Sequence, residues 1–296
     1  MAIIRNWKSG DDEAIFELFD RTARWLSNES YTTKFDDKGL TPEGIVLAEE
    51  DGLIVGHVMG TRTEIMCEGR PTIFGGIGQV MVDENYRGLG IGKAILQKII
   101  QYHTEGRCRG ILLWTQDNRI PAYPIYEKFG FRIAARRAFY RFRISESKSP
   151  LSVEPYTEKF TEQTEAIRQE WMRSSFPVGI KSMRPSSTNW HVILKDRQPV
   201  GYVNIGKQDD IPFLSRAVAL LSSASDVCET LLAHLRKLGH EEAIWQTCVG
   251  SVWEEELHKR GFRDGELETD VRMCLSIGSP VNIDNQRPEF DGCSTW

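Results

Sequence analysis

The 296-residue sequence lacks the patterns that indicate a metal site or a disulfide-based fold. Its six cysteines are scattered and include no CxxC pair, which excludes a cysteine zinc site and a disulfide framework as the basis of the fold. The six histidines form neither an HExxH motif nor a cluster. We therefore predict no metal.

Long apolar runs and an excess of positive charge are also missing. No apolar stretch reaches the length that spans a bilayer, and residues 1–8 lack the apolar core of a signal peptide. The net charge of −5 gives no basic surface for nucleic acid. We expect a cytoplasmic protein that binds neither nucleic acid nor membrane.

The most informative segment present is a strand, a glycine-rich turn and a helix in succession. A short run of β-forming residues ends at Val82, and apolar residues then recur at three- and four-residue spacing over 91–102. Glycines at alternate positions from Gly88 to Gly92 let the main chain approach a ligand. The loop N–H groups, the positive end of the helix dipole and Arg87 would converge on one anion.

This loop fits neither of two common glycine-rich phosphate-binding motifs. A Walker loop needs Ser or Thr after its lysine, whereas Lys93 is followed by Ala94, and the dinucleotide fingerprint needs two residues between its last glycines. The pattern Arg87-x-x-Gly90-x-Gly92 instead resembles the acyl-CoA pyrophosphate loop of the GNAT superfamily of acetyltransferases. A tight strand-to-helix turn without a ligand is the alternative explanation.

The features after the loop occur in the order that this resemblance implies. Residues 109–115 have the pattern of a buried strand, and residues 121–131 that of a helix followed by a Gly-Phe turn. By resemblance, Asn118 contacts the CoA arm and Tyr126 lies beside the thioester sulfur, where a phenol can protonate the leaving thiolate. A core position on an amphipathic helix is the alternative for Tyr126. The similarity extends over roughly residues 45–144.

The resemblance implies acetyl-CoA as the co-substrate. The strand before the loop would pair with the pantetheine arm and polarise the acyl carbonyl, if a bulge turns an N–H out of the ladder. The predicted cofactor-binding residues are Val80, Met81, Val82, Arg87, Gly88, Leu89, Gly90, Ile91, Gly92, Lys93 and Asn118. The implied reaction is transfer of an acetyl group to a primary amine by direct attack in a ternary complex.

A non-catalytic acyl-CoA-binding sensor or interaction protein is the alternative function. A sensor needs phosphate contacts but no proton donor, so the presence of Tyr126 and Asn118 beside the loop favours an enzyme. Binding of the ligand without turnover would support the sensor.

The general base is left open by the sequence. Members of the superfamily often use a glutamate on the strand before the loop, but this chain has Gln79, which can orient a water molecule without taking its proton. Glu64, His57 and Asp83 are the remaining candidates. A water relay to solvent accounts for the chemistry equally well.

The acceptor site is expected beside the N-terminal segment 11–35. Its acidic and aromatic residues favour a cationic amine, either a small molecule or a peptide, although a plain amphipathic surface helix explains the same pattern. The predicted substrate residues are Glu17, Trp25, Tyr31, Glu64 and Gln79.

A second copy of the pattern follows the first. The strand around Trp114 recurs 131 residues later around Trp245, and the Gly-Phe turn recurs at the same distance. The hairpin before the loop recurs 145 residues later, around Gly201. The second copy is thus 14 residues shorter, a loss expected at residues 64–78 of the first. It also lacks the glycines and polar residues of the loop.

These observations predict an α/β (α+β mixed-sheet) fold of two tandem GNAT-like domains, each a mixed, mostly antiparallel sheet flanked by helices. Residues 1–146 would form the acetyltransferase domain with the acyl-CoA site, residues 151–277 a degenerate copy, and residues 278–296 an extended or disordered tail. The copy would complete the acceptor cleft or the interface of a homodimer. The alternative is one enzyme domain followed by an unrelated α/β domain.

Overall fold

The fold is given by a computed structural model. It describes residues 2–22, 40–67, 70–116, 118, 122–144, 149, 151–176, 185, 189–263, 265–279, 281 and 287–288. The elements of the first half are β1 (Ile3–Asn6), α1 (Asp12–Thr22), β2 (Leu40–Glu50), β3 (Leu53–Cys67), β4 (Arg70–Val82), α2 (Ile91–Glu105), β5 (Gly110–Gln116), α3 (Ala122–Lys128) and β6 (Arg132–Arg143).

The second half continues the alternation of strands and helices. Its elements are β7 (Ser152–Pro155), α4 (Thr161–Ser174), β8 (Ser175–Phe176), β9 (Trp190–Lys195), β10 (Gln198–Gln208), β11 (Ile211–Ala219), α5 (Ala224–Lys237), β12 (Glu242–Cys248), α6 (Val252–Lys259), β13 (Glu266–Ser276) and β14 (Arg287–Pro288). In the described part of the chain, none of the helices is long and apolar enough to cross a membrane.

Twelve of the strands form one continuous sheet. Their order is β1-β2-β3-β4-β5-β13-β6-β12-β11-β10-β9-β7. The pairs β4–β5 and β11–β12 are parallel, and the other neighbours are antiparallel. The prediction of an α/β fold with a mixed, mostly antiparallel sheet flanked by helices is confirmed.

Strand β13 joins the two halves of the chain. It comes from the last part of the sequence, yet it lies between β5 and β6 of the first half and pairs with both. Strand β6 in turn pairs with β12 of the second half. A division of the chain near residues 146–151 therefore separates chain segments that share one sheet, and the tandem-domain description stays a prediction.

Side-chain alternation assigns different helices to the two faces of the sheet. Ile111 and Leu113 of β5 point to the face covered by α2 and α3. Leu112 points to the other face, where it clusters with Phe74 of β4 and Cys274 of β13. Helix α1 packs on that same face, further toward β2. We call the two sides the α2 face and the α1 face.

The part of the predicted tail that the structure describes contacts the rest of the chain. Val281 is buried in the cluster with Phe74 and Leu112. Strand β14 pairs in parallel with β8 as a separate two-stranded sheet. Residues 282–286 and 289–296 lie outside the described residues, and the extended or disordered tail stays a prediction.

Because β13 lies in the core of the first half and β6 contributes to the core of the second, we expect the chain to unfold as one unit. Met273 is fully buried on β13, and Met273→Ala should lower the free energy of unfolding by roughly 2–5 kcal/mol through the cavity that it leaves. Urea titration followed by tryptophan fluorescence should show a single transition that moves as a whole to lower urea.

The control is Ile133→Ala on the adjacent strand, where the side chain is 40% exposed and the expected change is within about 0.5 kcal/mol. Two transitions, of which Met273→Ala shifts only one, would show that the halves unfold independently.

Candidate functional site

The parallel strands β4 and β5 separate after four paired residues. Their register runs from Phe74↔Gly110 to Ile77↔Leu113, although both strands continue further in the same direction. The side chains of β4 change from buried at 74–77 to half-buried beyond that point. A cleft therefore opens between the carboxyl ends of the two strands, where backbone groups of β4 that no longer pair with β5 can bind a ligand.

A β-bulge lies on β4 directly after the split. The register of β3 against β4 shifts between Met59↔Gly78 and His57↔Met81, so that two residues of β4 stand opposite one residue of β3. Gln79, within the bulge, has a φ of 50°, which is uncommon for a residue other than glycine. The bulge on which the role of this strand depends is thus present at the cleft.

The imidazole of His57 holds this bulge. Its Nδ1 lies 2.9 Å from the carbonyl oxygen of Gln79, and since a carbonyl only accepts, Nδ1 carries the proton and donates. The ring is fully buried and meets the ring of Phe19 edge-on at 5.2 Å. Burial lowers the pKa of His57 to about 4, outweighing the hydrogen bond to Gln79, which raises it. A buried, neutral donor suits His57 to positioning the bulge rather than to taking a proton.

Asp83 anchors the end of β4 to α1. Its carboxylate accepts hydrogen bonds from the Asn85 N–H at 3.1 Å and from Nε of Arg21 at 2.9 Å. Burial raises the pKa of Asp83, but these hydrogen bonds and the charge of Arg21 outweigh burial and leave the pKa below its ordinary value. A carboxylate in this state is a weak base, so its role in the structure is to hold the loop.

The glycine loop leads directly into α2 at the open end of the cleft. Gly88 and Gly90 have φ values of 78° and 83°, a region that favours glycine. Gly90 is the N-cap of the helix and, having no side chain, makes no side-chain hydrogen bond to its first N–H groups. Arg87 is exposed, and its Nε donates to the carbonyl of Val82 at 3.2 Å. Backbone donors, the helix dipole and a guanidinium are therefore available to one anion.

The other predicted cofactor residues follow the same path. Val80, Met81 and Val82 are half-buried along the β4 wall of the cleft. Leu89 and Lys93 are exposed, and Ile91 is buried and packs α2 onto the sheet. Gly92 is half-buried in the first turn of the helix.

Tyr126 and Asn118 lie on the β5 side of the cleft. Tyr126, on α3, is buried on the α2 face in the cluster that contains Ile111 and Leu113, and its ring meets Phe131 edge-on at 6.0 Å. Asn118 is exposed in a turn that follows β5. The catalytic role of Tyr126 and the CoA contact of Asn118 stay predictions.

Of the predicted substrate residues that the structure describes, Gln79 lies at the cleft. Glu17 is exposed on α1. Glu64 is exposed on β3 opposite Ile73, which places it roughly 20 Å of strand away from Gln79. Trp25 and Tyr31 lie outside the described residues.

Three residues that the sequence did not single out meet on the α1 face. Trp114 is the first residue of β5 beyond the split. The guanidinium carbons of Arg272 and Arg137 lie 4.8 Å and 5.1 Å from the centre of its ring, and both arginines are buried. The signal that could have found Arg272 is a single charge inside the apolar run 271–275.

The second half repeats the split and the bulge. Strands β11 and β12 pair only at Phe213↔Ile244 and Leu214↔Trp245, although both continue further. The register of β11 also shifts against β10, and Arg216 in the shifted segment has a φ of 53°. The backbone frame of the first cleft is therefore present twice.

An indole fills the second cleft. Trp253 of α6 donates from Nε1 to the carbonyl of Ala217, on β11 beyond the split, at 2.8 Å. Its ring is buried and lies 5.4 Å from the rings of both Trp171 and Trp245. A side chain thus takes the hydrogen-bonding position that the first cleft leaves to a ligand.

The loss of residues in the second copy is not confined to the counterpart of residues 64–78, which corrects the expectation from the sequence. The β10–β11 hairpin is shorter than the β3–β4 hairpin, and the link between β11 and α5 is also shorter. That link has only the four residues 220–223, against the eight residues 83–90 between β4 and α2. This link is therefore too short to form an equivalent of the glycine loop.

Metal ligands are not assembled in the described ranges. No three side chains of His, Cys, Asp or Glu are grouped there so as to hold an ion.

Comparisons with known proteins agree with the geometry. Residues 12–131 match the model of the Acetyltransferase (GNAT) family, a range that contains the split, the bulge and the glycine loop. The chain is 37% identical to the spermine/spermidine N(1)-acetyltransferase of Bacillus subtilis over 57 residues, which are 19% of this chain and 38% of that protein. It is 36% identical to the glucosamine 6-phosphate N-acetyltransferase of Trypanosoma brucei brucei over 63 residues, which are 21% of this chain and 41% of that protein. The chain thus spans about two fifths of the length of these relatives.

A solved structure resembles nearly the whole chain. A GCN5-related N-acetyltransferase from Anabaena variabilis superimposes with a TM-score of 0.72 over 94% of this chain and 73% of that chain, at 14% identity. At this identity the likeness is one of fold. Residues 12–131 thus match the Acetyltransferase (GNAT) family, and the fold of the chain resembles that of a GCN5-related N-acetyltransferase.

Proposed function

We propose that the protein transfers an acetyl group from acetyl-CoA to a primary amine by direct attack within a ternary complex. The observation that carries this proposal is the split between β4 and β5, which opens at the glycine loop and the start of α2, where the N-cap is a glycine. The edge of β4 and the start of α2 are thus neighbours at the cleft, and together they suit a long ligand with a phosphorylated end.

The residues present fit the co-substrate. A Cβ added at Gly88 or Gly90 would have no atom within 4 Å, so the space over the loop is open for pyrophosphate oxygens. Arg87 adds a charged donor beside it. The free edge of β4 from Val80 to Val82 offers backbone groups for the amides of the pantetheine arm. Acetyl-CoA, when bound, supplies the activated acyl group.

The bulge accounts for the chemical step. A strand N–H turned out of the ladder beside Gln79 can stabilise the charge that develops on the acetyl carbonyl oxygen. The acceptor must attack as a neutral amine, and the departing thiolate gains a proton from Tyr126. His57 and Asp83 are unsuited as bases because one is a buried donor and the other an ion-paired carboxylate. A water held by Gln79 and connected to solvent takes the proton from the amine.

The class of acceptor is proposed from the names of the two relatives described above. Both relatives above are named for amine substrates, a polyamine and an amino sugar phosphate. We propose a small-molecule amine as the acceptor and the second half as a degenerate copy with its cleft closed by Trp253.

The direct test is thiol release from acetyl-CoA with a panel of primary amines. Arg87→Ala should raise the KM for acetyl-CoA roughly 10- to 100-fold and change kcat little, because a charged hydrogen bond to phosphate contributes about 1.5–3 kcal/mol to binding before the chemical step. Arg107→Ala, an exposed arginine at the other end of α2, is the matched control and should leave both constants unchanged. Equal effects of the two variants would show that the loop is not part of the acetyl-CoA site. Binding of acetyl-CoA without turnover across the panel would favour a sensor.

Tyr126→Phe tests the proton donor. The ring and its packing against Phe131 are retained, so we expect a normal fold, an unchanged KM for acetyl-CoA and a kcat that falls roughly 10²-fold or more. Tyr123→Phe on the same helix serves as the control. A Tyr126→Phe enzyme with full turnover and an unchanged pH profile would exclude the phenol from the mechanism.

His57→Phe tests the positioning of the bulge. Phenylalanine fills the space but cannot donate to Gln79, so kcat should fall by about 10²-fold while the affinity for CoA is retained, and His57→Asn, which keeps a donor, should recover part of the loss. Because the pKa of His57 is about 4, the loss should be the same at every pH between 6 and 9. Full turnover by His57→Phe, or a loss that appears only on one side of neutral pH, would contradict this role.

A further inference from the structure

We propose that Arg21 of α1 is a positioning residue for the acyl-CoA site. It acts through the carboxylate of Asp83, which fixes the start of the glycine loop and with it the donors for the phosphates. This inference rests on the proposed acetyl transfer and adds a residue of α1 to the machinery that binds acetyl-CoA. The sequence did not single out Arg21, because its two partners lie 33 and 62 residues further along the chain.

The carboxylate of Asp83 has different partners at its two oxygens. Oδ1 accepts from the backbone N–H of Asn85 at 3.1 Å and from the side-chain amide of the same residue at 3.2 Å. Oδ2 accepts from Nε of Arg21 at 2.9 Å, and Nη2 of Arg21 donates to the carbonyl of Ile54 on β3 at 3.0 Å. One oxygen therefore holds the loop, and the other is held by α1.

Asp83 sets the direction of the loop because it begins the turn that leads to Arg87. It is the N-cap of a single 3-10 turn, Glu84–Tyr86, and its own N–H donates to the carbonyl of Val55 on β3 at 2.9 Å. The turn ends at Arg87, whose backbone N–H donates to the carbonyl of Glu84 at 3.3 Å. A displaced Asp83 would therefore carry Arg87 and the glycines that follow it away from the start of α2.

Helix α1 presents Arg21 from a fixed position. Its buried residues Ile15, Leu18 and Phe19 pack in one cluster with residues of β2 and β3, and Arg21 follows in its last turn. The side chain of Arg21 is 36% exposed, whereas that of Asp83 is 4% exposed. Without the guanidinium, a buried carboxylate loses its counter-charge, which is costly, so the carboxylate would turn toward water and take the loop with it.

A phosphate-free donor separates positioning of the loop from stability of the fold. Acetyl-pantetheine carries the same thioester and the same arm as acetyl-CoA but no phosphate. A change in the position of the loop therefore alters the use of acetyl-CoA and leaves the use of acetyl-pantetheine unchanged. A residue that only stabilises the fold affects both donors alike.

The first experiment compares these two donors in thiol-release assays of Arg21→Met. The KM for acetyl-CoA should rise roughly 10- to 100-fold with little change in kcat, while kcat/KM for acetyl-pantetheine stays within about twofold of wild type. Arg21→Lys, which keeps a cation for Asp83, should recover part of the loss. Asp20→Asn, at an exposed neighbouring position of α1, is the control and should behave as wild type.

Two outcomes of this comparison separate the inference from the proposed function. Equal losses toward both donors in Arg21→Met would show a structural role and overturn the inference while leaving acetyl transfer intact. No thiol release from either donor by the wild-type chain would instead contradict the proposed function.

The second experiment combines Arg21→Met with Arg87→Ala. If Arg21 acts by placing Arg87 and the loop, the double variant should raise the KM for acetyl-CoA by clearly less than the product of the two single effects. A KM equal to that product would show that the two residues act independently and would overturn the inference. Should Arg21→Met fail to fold, the same cycle is measured with Arg21→Lys, which cannot bridge Asp83 and Ile54 as the guanidinium does.

Discussion

The separation of β5 from β4 is the constraint on which the rest of the structure depends. Two parallel strands that part without other support would fray, but each wall of this cleft is held along its outer edge. Strand β4 pairs with β3 as far as Val82, and β5 pairs with β13 along its whole length to Gln116. The cleft is therefore a rigid gap with hydrogen-bonding backbone on its β4 edge, and one of its supports comes from the far end of the chain.

The second half shows what happens to the same frame without a ligand. A gap between parallel strands cannot stay empty in a protein interior, because its backbone groups and apolar walls need partners. Trp253 is the partner of both: its indole N–H donates a hydrogen bond to the carbonyl of Ala217, and its ring packs against the apolar wall, stacked on Trp171. In the first half, 131 residues earlier, the corresponding position is Ala122. One closed and one open cleft in a single sheet fit a chain in which one half binds and the other supports it.

The sequence predicted the local features of the cleft, because each depends on residues close together in the chain. The glycine loop, the start of α2 and the bulged strand are of this kind. It did not predict the position of β13, since the apolar run around Met273 would suit any buried strand and its partners are more than 100 residues away. His57 was one of several candidate bases, and only its distance to the Gln79 carbonyl shows a donor. The sequence predicts Glu64 near the cleft because it does not show how long the β3–β4 hairpin is. In the structure, Glu64 pairs with Ile73, far along this hairpin from Gln79.

The central claim is that the chain has one open acyl-CoA cleft and one that is closed from within. Isothermal titration of the full chain with CoA measures this directly, since it counts sites independently of any acceptor. One CoA bound per chain is the predicted result. Two CoA molecules per chain with comparable affinity would show that Trp253 does not close the second cleft and would contradict the account.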